Sequence, residues 1–400
     1  MKILQVNCVY AKGSTGKIVA DIHNVLLSDN IESIVLYGRG QKSNDPLVVK
    51  TCGEFYSHIN NFLTRISGVM YGGCFLSTNR LIKIIKQQQP DIVHLHCING
   101  YFVNIYRLIN WLKKNKIKTI LTLHAEFMFT ANCGHAFDCE KWKTGCGHCS
   151  VFKNETHSLL IDNTHKSWLK MKKAYDGFDN LVITSVSPWL MERAKQSPFF
   201  INNRQFVTLN GLDTNVFHYY EQNEIREELK LVNEKVIFHA TPNFNDNKEH
   251  IKGGYYIIEV AKRLKEYKFV IAGKYPENLI VPSNVILLGQ INDQKQLAKL
   301  YSMANLTIIT SKKETFSMIT SESLSCGTPI VGFKAGGPET ISIDKYSCFV
   351  EYGDINGLID KIKEFIYKDF NKKEISEESK IKYSKESMCK EYMNIYNSML

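Results

Sequence analysis

The stretch Ser311–Pro329 restricts the fold of this chain more than any other. It reads Ser-Lys-Lys-Glu-Thr-Phe-Ser-Met-Ile-Thr-Ser-Glu-Ser-Leu-Ser-Cys-Gly-Thr-Pro. The run Leu306–Thr310 before it reads as a buried strand. Gly327 and Pro329 stop a helix at its far end, and Ser317 suits the N-cap. Strand, loop and helix make a unit of a parallel α/β sheet, where ligands bind beyond the strands' C-terminal ends. The N–H groups of Ser317, Met318 and Ile319 can hold an anion such as a diphosphate. Glu314 in the loop and Glu322 in the helix set a carboxylate at each end of the turn, ready to accept from hydroxyls. A diphosphate flanked by hydroxyl-bearing rings describes a nucleotide sugar. The plainer reading is two exposed surface carboxylates, the default for Glu. Glu322 argues against it, because small and apolar neighbours surround it and a buried carboxylate needs a partner.

The rest of the chain repeats this unit. Its 400 residues suffice for two domains. Residues 3–9 read as a strand, followed by Gly13-Ser14-Thr15-Gly16 and a helical pattern, a turn able to cradle a phosphate or sugar or simply to be tight. Ser33–Tyr37, Asp91–Cys97, Ile117–Leu123 and Leu181–Thr184 read as further strands. Pro198 and Asn202-Asn203-Arg204 break the pattern, placing a linker near residues 197–205. The expected organisation is a first α/β domain over 1–200, a second over 206–375, and a charged helix over 376–400. That helix can cross back onto the first domain through Ile381, Met388, Tyr392, Ile395 and Tyr396.

Residues 54–88 are helical by period and carry apolar faces through Phe55, Ile59, Phe62, Leu63, Ile66, Val69, Met70, Leu81, Ile82 and Ile85. Core packing is the expectation, with contact to a membrane surface as the other reading. No apolar run approaches the ~18 residues needed to span a bilayer. The N-terminus is too polar for a signal-peptide core, so a cytoplasmic location is expected. The 11 cysteines are an odd number without a regular framework, which suits a reducing compartment. A formal net charge of +10 allows an anionic partner.

Two further groups carry chemistry. His94 and His96 alternate onto one strand face, which suits metal ligation or, as the expectation here, buried hydrogen-bonded side chains. Cys133-x5-Cys139-x6-Cys146-x2-Cys149 places four thiols within one loop, 133–149. Four thiolates satisfy tetrahedral zinc, which would stabilise a loop expected to lack a core. Unliganded thiols and a redox role stay open.

Glu314-x7-Glu322, the following Ser-Leu-Ser-Cys-Gly-Thr-Pro-Ile-Val and then Gly336-Gly337-Pro338-Glu339 resemble the signature of family 4 glycosyltransferases. Leu121-Thr-Leu-His124 and Asn210-Gly-Leu-Asp213 with Phe217 resemble segments of the same family, and Gly13–Gly16 and the cysteine loop resemble its colanic-acid and exopolysaccharide branch. The resemblance implies a GT-B fold, with two Rossmann-like doubly wound domains facing across a cleft, and a retaining enzyme. It implies sugar transfer from a nucleoside-diphosphate sugar (UDP or GDP) to a saccharide or lipid-pyrophosphate-linked acceptor in surface polysaccharide synthesis. It implies that Gly13 and Gly16 lie near donor and acceptor and that His124 contacts the donor sugar. Lys252 and the amides of Ser317, Met318 and Ile319 would hold the diphosphate, Glu314 the sugar and Glu322 the ribose. It also implies that residues near 273 and 285–291 flank the base.

No metal or other cofactor is expected in the chemistry, since no Asp-x-Asp follows a strand; a zinc on the cysteines would be structural. Nucleic acid is not an expected partner, whereas an anionic membrane face is an allowed one. The chain departs from the family twice. Ala125 stands where an Asp is usual, with Glu126 as the candidate substitute. Thr241-Pro242 stands where an Arg is usual, leaving the charge to Lys252 with Lys248. A GT-B epimerase or phosphorylase, or a non-catalytic sugar-nucleotide-binding subunit, are the alternatives.

Overall fold

The computed structural model describes residues 1–400, which divide into two compact units. The first contains Met1–Thr208 together with Cys389–Leu400, and the second Leu209–Met388.

Seven parallel strands form the first unit's sheet: β1 (Lys2–Asn7), β2 (Glu32–Tyr37), β3 (Val48–Lys50), β4 (Ile92–Leu95), β5 (Thr119–Leu123), β6 (Leu181–Ser185) and β7 (Arg204–Val207). Their spatial order is β3-β2-β1-β4-β5-β6-β7, which reverses direction at β1. Central strands are apolar on both faces: Ile3, Leu4 and Val6 of β1 and Ile120, Leu121 and Leu123 of β5 are fully buried. Helices on both sides require that pattern.

The second unit has six parallel strands: β8 (Val236–Asn243), β9 (Lys268–Lys274), β10 (Val285–Gly289), β11 (Leu306–Ile309), β12 (Ile330–Phe333) and β13 (Ser347–Val350), in the order β10-β9-β8-β11-β12-β13. One apolar cluster, around Phe238, Val270, Tyr301 and Leu324, covers one face. Another, around Ile257, Phe269, Ile308 and Ile362, covers the other.

Three expectations shift. The expected second domain begins at Phe206, yet β7 pairs with β6 in the register Val182↔Arg204 to Ser185↔Val207. The first unit therefore runs past residue 200, to Thr208. The segment 376–400 is two helices, Lys372–Tyr383 and Lys385–Asn397, and the chain returns to the first unit only from Cys389. Tyr392, Ile395 and Tyr396 are buried, whereas Ile381 is 77% exposed on the earlier helix.

The third shift concerns residues 54–88. Helix Phe75–Gln88 buries Leu81, Ile82 and Ile85 as expected of core. Helix Glu54–Ser67 does the reverse. It buries Ser57, Asn60 and Thr64, and it exposes Phe55 (80%), Phe62 (59%) and Leu63 (55%) with Ile59 and Ile66. The inward polar row is bonded: Asn60 accepts from Cys74 N–H at 2.7 Å, and Ser57 Oγ donates to the Gly100 carbonyl. An amphipathic period marks two faces of a helix but does not say which one turns inward.

Candidate active site

In the second unit the loops beyond β8, β11 and β12 carry the signature residues. Helix Met318–Ser325 follows β11 and is capped by Ser317, whose hydroxyl accepts from the Thr320 N–H. The cap therefore engages Thr320 and not the preceding amides of Ser317, Met318 and Ile319, the donors suited to an anion. Glu314 N–H donates to the Ala335 carbonyl at 2.9 Å, and Gly337 N–H to the Glu314 carbonyl at 2.8 Å. The Gly336-Gly337 turn thus pins Glu314 by its backbone and leaves its carboxylate to other partners.

That partner is Lys252, whose Nζ donates to Glu314 Oε1 over 2.6 Å. Both side chains keep part of their surface in solvent, 27% for the lysine and 16% for the glutamate. Gly253 fixes the approach. It sits at φ +68°, and a Cβ there would fall 2.0 Å from the Thr310 carbonyl oxygen at the end of β11. Only glycine lets the lysine loop lie against that strand end.

Glu322 is half-buried, and its Oε2 accepts from the Tyr301 hydroxyl at 3.0 Å. It lines a cavity of about 450 Å³ with Thr241, Gly273, Lys274, Gln290 and Ile319. Gly273 and Gln290 belong to the segments expected to flank the base. Lys274 lies at the end of β9, where a lone Lys after an apolar strand gives no sequence signal. It is a second cation beside the cavity in a chain that lacks the usual Arg. A larger cavity, of about 700 Å³, lies along edge strand β3 between Asp45, Lys50 and Arg80, and contains no signature residue.

In the first unit the C-terminal ends of β1, β4 and β5 are neighbours. They bring Gly13–Gly16, His96 and His124 to one sheet edge. Helix Gly13–Ser28 begins at Gly13, and Ala11 N–H donates to the Gly16 carbonyl, closing the turn. A Cβ on Gly16 would meet Val9 Cγ2 at 3.1 Å. His124 is 8% exposed, and one of its ring nitrogens lies 3.3 Å from His96. Burial lowers the His124 pKa to about 4. His94 and His96 are fully buried and stacked at 3.9 Å between centroids; His94 is hydrogen-bonded at both ring nitrogens, to Tyr396 and Thr122, and His96 at Nδ1, to His124.

Glu126 does not replace the absent Asp. Its carboxylate is fully buried, paired with the Arg193 guanidinium and accepting from the Ala136 N–H. It fastens the cysteine loop to helix Pro188–Lys195. That loop also has a core of its own, contrary to expectation. Trp142 is 1% exposed, donates to the Cys139 carbonyl and packs edge-on against Phe129. Cys133, Cys139, Cys146 and Cys149 are free thiols. Burial raises Cys133, and it raises Cys146 to about 12, the neighbouring thiols adding to both shifts. No three His, Cys, Asp or Glu side chains converge in metal-holding geometry anywhere in the chain.

Two family models match. "Glycosyl transferases group 1" covers residues 221–384, and "Glycosyl transferase 4-like" covers residues 58–136. The chain is a glycosyltransferase, with a group 1 region over residues 221–384. The glycosyltransferase is 22% identical to the putative colanic acid biosynthesis glycosyl transferase WcaC of Escherichia coli K12, with 100% of both chains covered. It is 28% identical to a probable sucrose-phosphate synthase of Thermosipho melanesiensis, over 86% of this chain and 81% of that one. Among solved structures it resembles sucrose-phosphate synthase of Thermosynechococcus elongatus (TM-score 0.66, 13% identity, 100% and 99% covered). It also resembles Anabaena HepE in complex with UDP (TM-score 0.64, 13% identity, 100% of both covered). These likenesses establish the GT-B fold of the glycosyltransferase: two parallel-sheet, Rossmann-like α/β domains.

Proposed function

We propose that this glycosyltransferase moves a sugar, with retention, from a nucleoside-diphosphate sugar to a saccharide acceptor of a surface polysaccharide. The observation that carries the reading is the Lys252–Glu314 pair, held at the end of β11 beside the helix N-terminus and the cavity lined by Glu322. The donor class is supported by HepE, solved with UDP and with UDP-glucose. The pathway is supported by the colanic acid relative.

On this reading the nucleoside lies in the cavity, with Glu322 accepting from the ribose hydroxyls. The diphosphate meets the amides of Ser317–Ile319, Lys252 and Lys274. Its arrival draws Lys252 from Glu314, whose carboxylate then accepts from sugar hydroxyls. As the bond from the anomeric carbon to the phosphate oxygen breaks, negative charge grows on that oxygen, where an ammonium and helix amides stabilise it. The acceptor hydroxyl adds to the same face of the sugar, and its proton leaves with the diphosphate. His124 supplies a hydrogen bond to the sugar.

A lipid-linked acceptor and contact with an anionic membrane face belong to the same proposal. Helix Glu54–Ser67 supports them, since its apolar row faces outward with Arg65 exposed beside it. Leu159, Leu160 and Ile161 are exposed too, and Leu159 N–H bonds the Arg65 carbonyl, so this exposed apolar segment adjoins the end of the helix. No helix is long and apolar enough to cross a membrane. For the cysteine loop the proposal is structural zinc on Cys133, Cys139, Cys146 and Cys149, supported by four thiols falling within one loop. As placed, the thiols would have to draw together to hold it.

A donor screen tests the main reading. Purified protein is given UDP- and GDP-sugars with a saccharide acceptor, and released UDP or GDP is measured. Acceptor-dependent release from one donor supports it. Isomerised sugar nucleotide without transfer would replace it with the epimerase reading.

A further inference from the structure

A glycine-rich turn such as Gly336-Gly337 can aim several amides at one anion. Here the protein itself takes them. The N–H groups of Ala335 and Gly336 donate to the two oxygens of the Glu339 carboxylate, at 3.0 and 2.7 Å. The Gly337 N–H donates to the Glu314 carbonyl at 2.8 Å. Thr340 Oγ1 lies 3.0 Å from the carbonyls of both Gly336 and Gly337, which ties the turn to the short helix Gly337–Ile341. The turn is a clamp, and Glu339 is the side chain that closes it.

What the clamp holds is Glu314. Its N–H donates to the Ala335 carbonyl at 2.9 Å, and its carbonyl accepts from Gly337. Between these two bonds Glu314 pairs with Gly336 as a one-residue parallel bridge. The approach is close, since a Cβ on Gly337 would fall 2.6 Å from the Phe316 nitrogen. Gly336 sits at φ +106°, a conformation that suits glycine alone. Removing the carboxylate would strip two amides of their acceptors, a cost that favours rearrangement of the turn. Glu314 would lose its seat with it.

The neighbouring helix Met318–Ser325 has anchors of its own. Ser317 accepts from the Thr320 N–H, and Ser323 Oγ lies 2.7 Å from Thr307 Oγ1 and 2.9 Å from the Thr328 carbonyl. None of these contacts runs through Glu339.

We propose that Glu339 is a positioning residue for Glu314: by holding the Gly336-Gly337 turn, it sets where the Glu314 carboxylate meets the donor sugar. This rests on the reading of Glu314 as the residue that holds the sugar. Donor recognition then has two separable halves. The helix amides, Lys252 and Glu322 hold the nucleotide, and Glu314 holds the sugar from a seat built by Glu339.

The test uses the full chain. Hydrogen exchange read by mass spectrometry reports the clamp, and steady-state transfer with inhibition by UDP or GDP reports its effect. In Glu339→Ala, peptides covering Glu314 and residues 335–337 are expected to exchange faster, while one covering 318–325 is unchanged. The kcat/KM for donor is expected to fall about tenfold, the scale of one hydrogen bond to a charged group, with nucleotide inhibition within about twofold of wild type. Glu339→Gln keeps one acceptor oxygen and is expected to fall between wild type and Glu339→Ala. In a Glu314→Ala background, loss of Glu339 is expected to add less than about twofold, because the residue it acts through is gone. If Glu339→Ala does not fold, Glu339→Gln still decides, by the same split at smaller size. Unmoved exchange at Glu314 or unchanged kcat/KM would overturn the proposal. Nucleotide inhibition weakened as much as kcat/KM, or a full further loss in the Glu314→Ala background, would overturn it too. Faster exchange in Glu339→Ala together with no transfer by the wild type from any UDP- or GDP-sugar would instead overturn the functional reading.

Discussion

Lys252 and Glu314 meet over 2.6 Å although 62 residues separate them in the chain. Each is brought to the end of β11 by a different backbone device, the glycine at 253 and the Gly336-Gly337 turn. Removing the ammonium from a developing anion is worth on the order of 10²–10³ in kcat. Lys252→Ala is therefore expected to lower kcat by that factor with circular dichroism unchanged, and Glu314→Gln to lower kcat/KM. Steady-state release of nucleoside diphosphate measures both. A Lys252→Ala enzyme within twofold of wild type would remove Lys252 from the leaving-group site.

Much of this site was legible because its signals are local. Ser317 as N-cap, Gly327 as helix stop and the apolar run of β11 each depend on a few neighbours. The i, i+2 spacing placed His94 and His96 on one face. Other features depend on partners far away in sequence, where spacing says nothing. Tyr396 reaches His94 across 302 residues. β7 joins the first sheet because β6 offers it an edge. Glu126 reads as a site carboxylate in the sequence, but Arg193 and Ala136 hold it from elsewhere in the chain. The helix at 54–67 shows its period in the sequence but not its orientation, because Ser57 and Asn60 find polar partners inside.

That helix makes a prediction with two arms. Phe62→Glu and Leu63→Glu alter exposed side chains and are expected to leave the thermal midpoint within a degree or two while abolishing flotation with vesicles containing anionic lipid. Charge reversal at Arg65, Arg80, Lys83 and Lys86 is expected to weaken the same binding and make it insensitive to salt. Asn60→Ala is expected to cost about 1–3 kcal/mol of stability, because the Cys74 N–H loses its acceptor. Stability falling with Phe62→Glu, or no vesicle binding by the wild type, would reject the membrane role.

The buried histidines set a pH dependence. Burial lowers His94 to about 3 and His124 to about 4, against 6.5 for the free ring. The unfolded chain therefore binds more protons below pH 6.5, and stability falls as pH drops. The loss runs from about 6.5 down to the folded values and is absent above 7. Between pH 7 and 5 it amounts to roughly 2 kcal/mol for each such ring. Urea midpoints at the two pH values measure it, and His94→Asn is expected to shrink the difference. Equal midpoints in the wild type would mean that these rings protonate in the folded protein.

Gly253 provides the sharpest steric prediction. At φ +68°, with the Thr310 carbonyl oxygen 2.0 Å from where a Cβ would stand, alanine must either strain the turn or push it away from β11. The neighbouring Thr310 Oγ1, which donates to the Gly253 carbonyl at 2.9 Å, would lose its geometry with it. The lysine loop would then move, and Lys252 would no longer reach Glu314. Gly253→Ala is thus expected to weaken UDP or GDP binding in calorimetry as much as Lys252→Ala does, although it removes no charge. It is also expected to lower the thermal midpoint, which Lys252→Ala leaves unchanged. Undiminished nucleotide binding by Gly253→Ala would show that the lysine reaches the diphosphate without this turn.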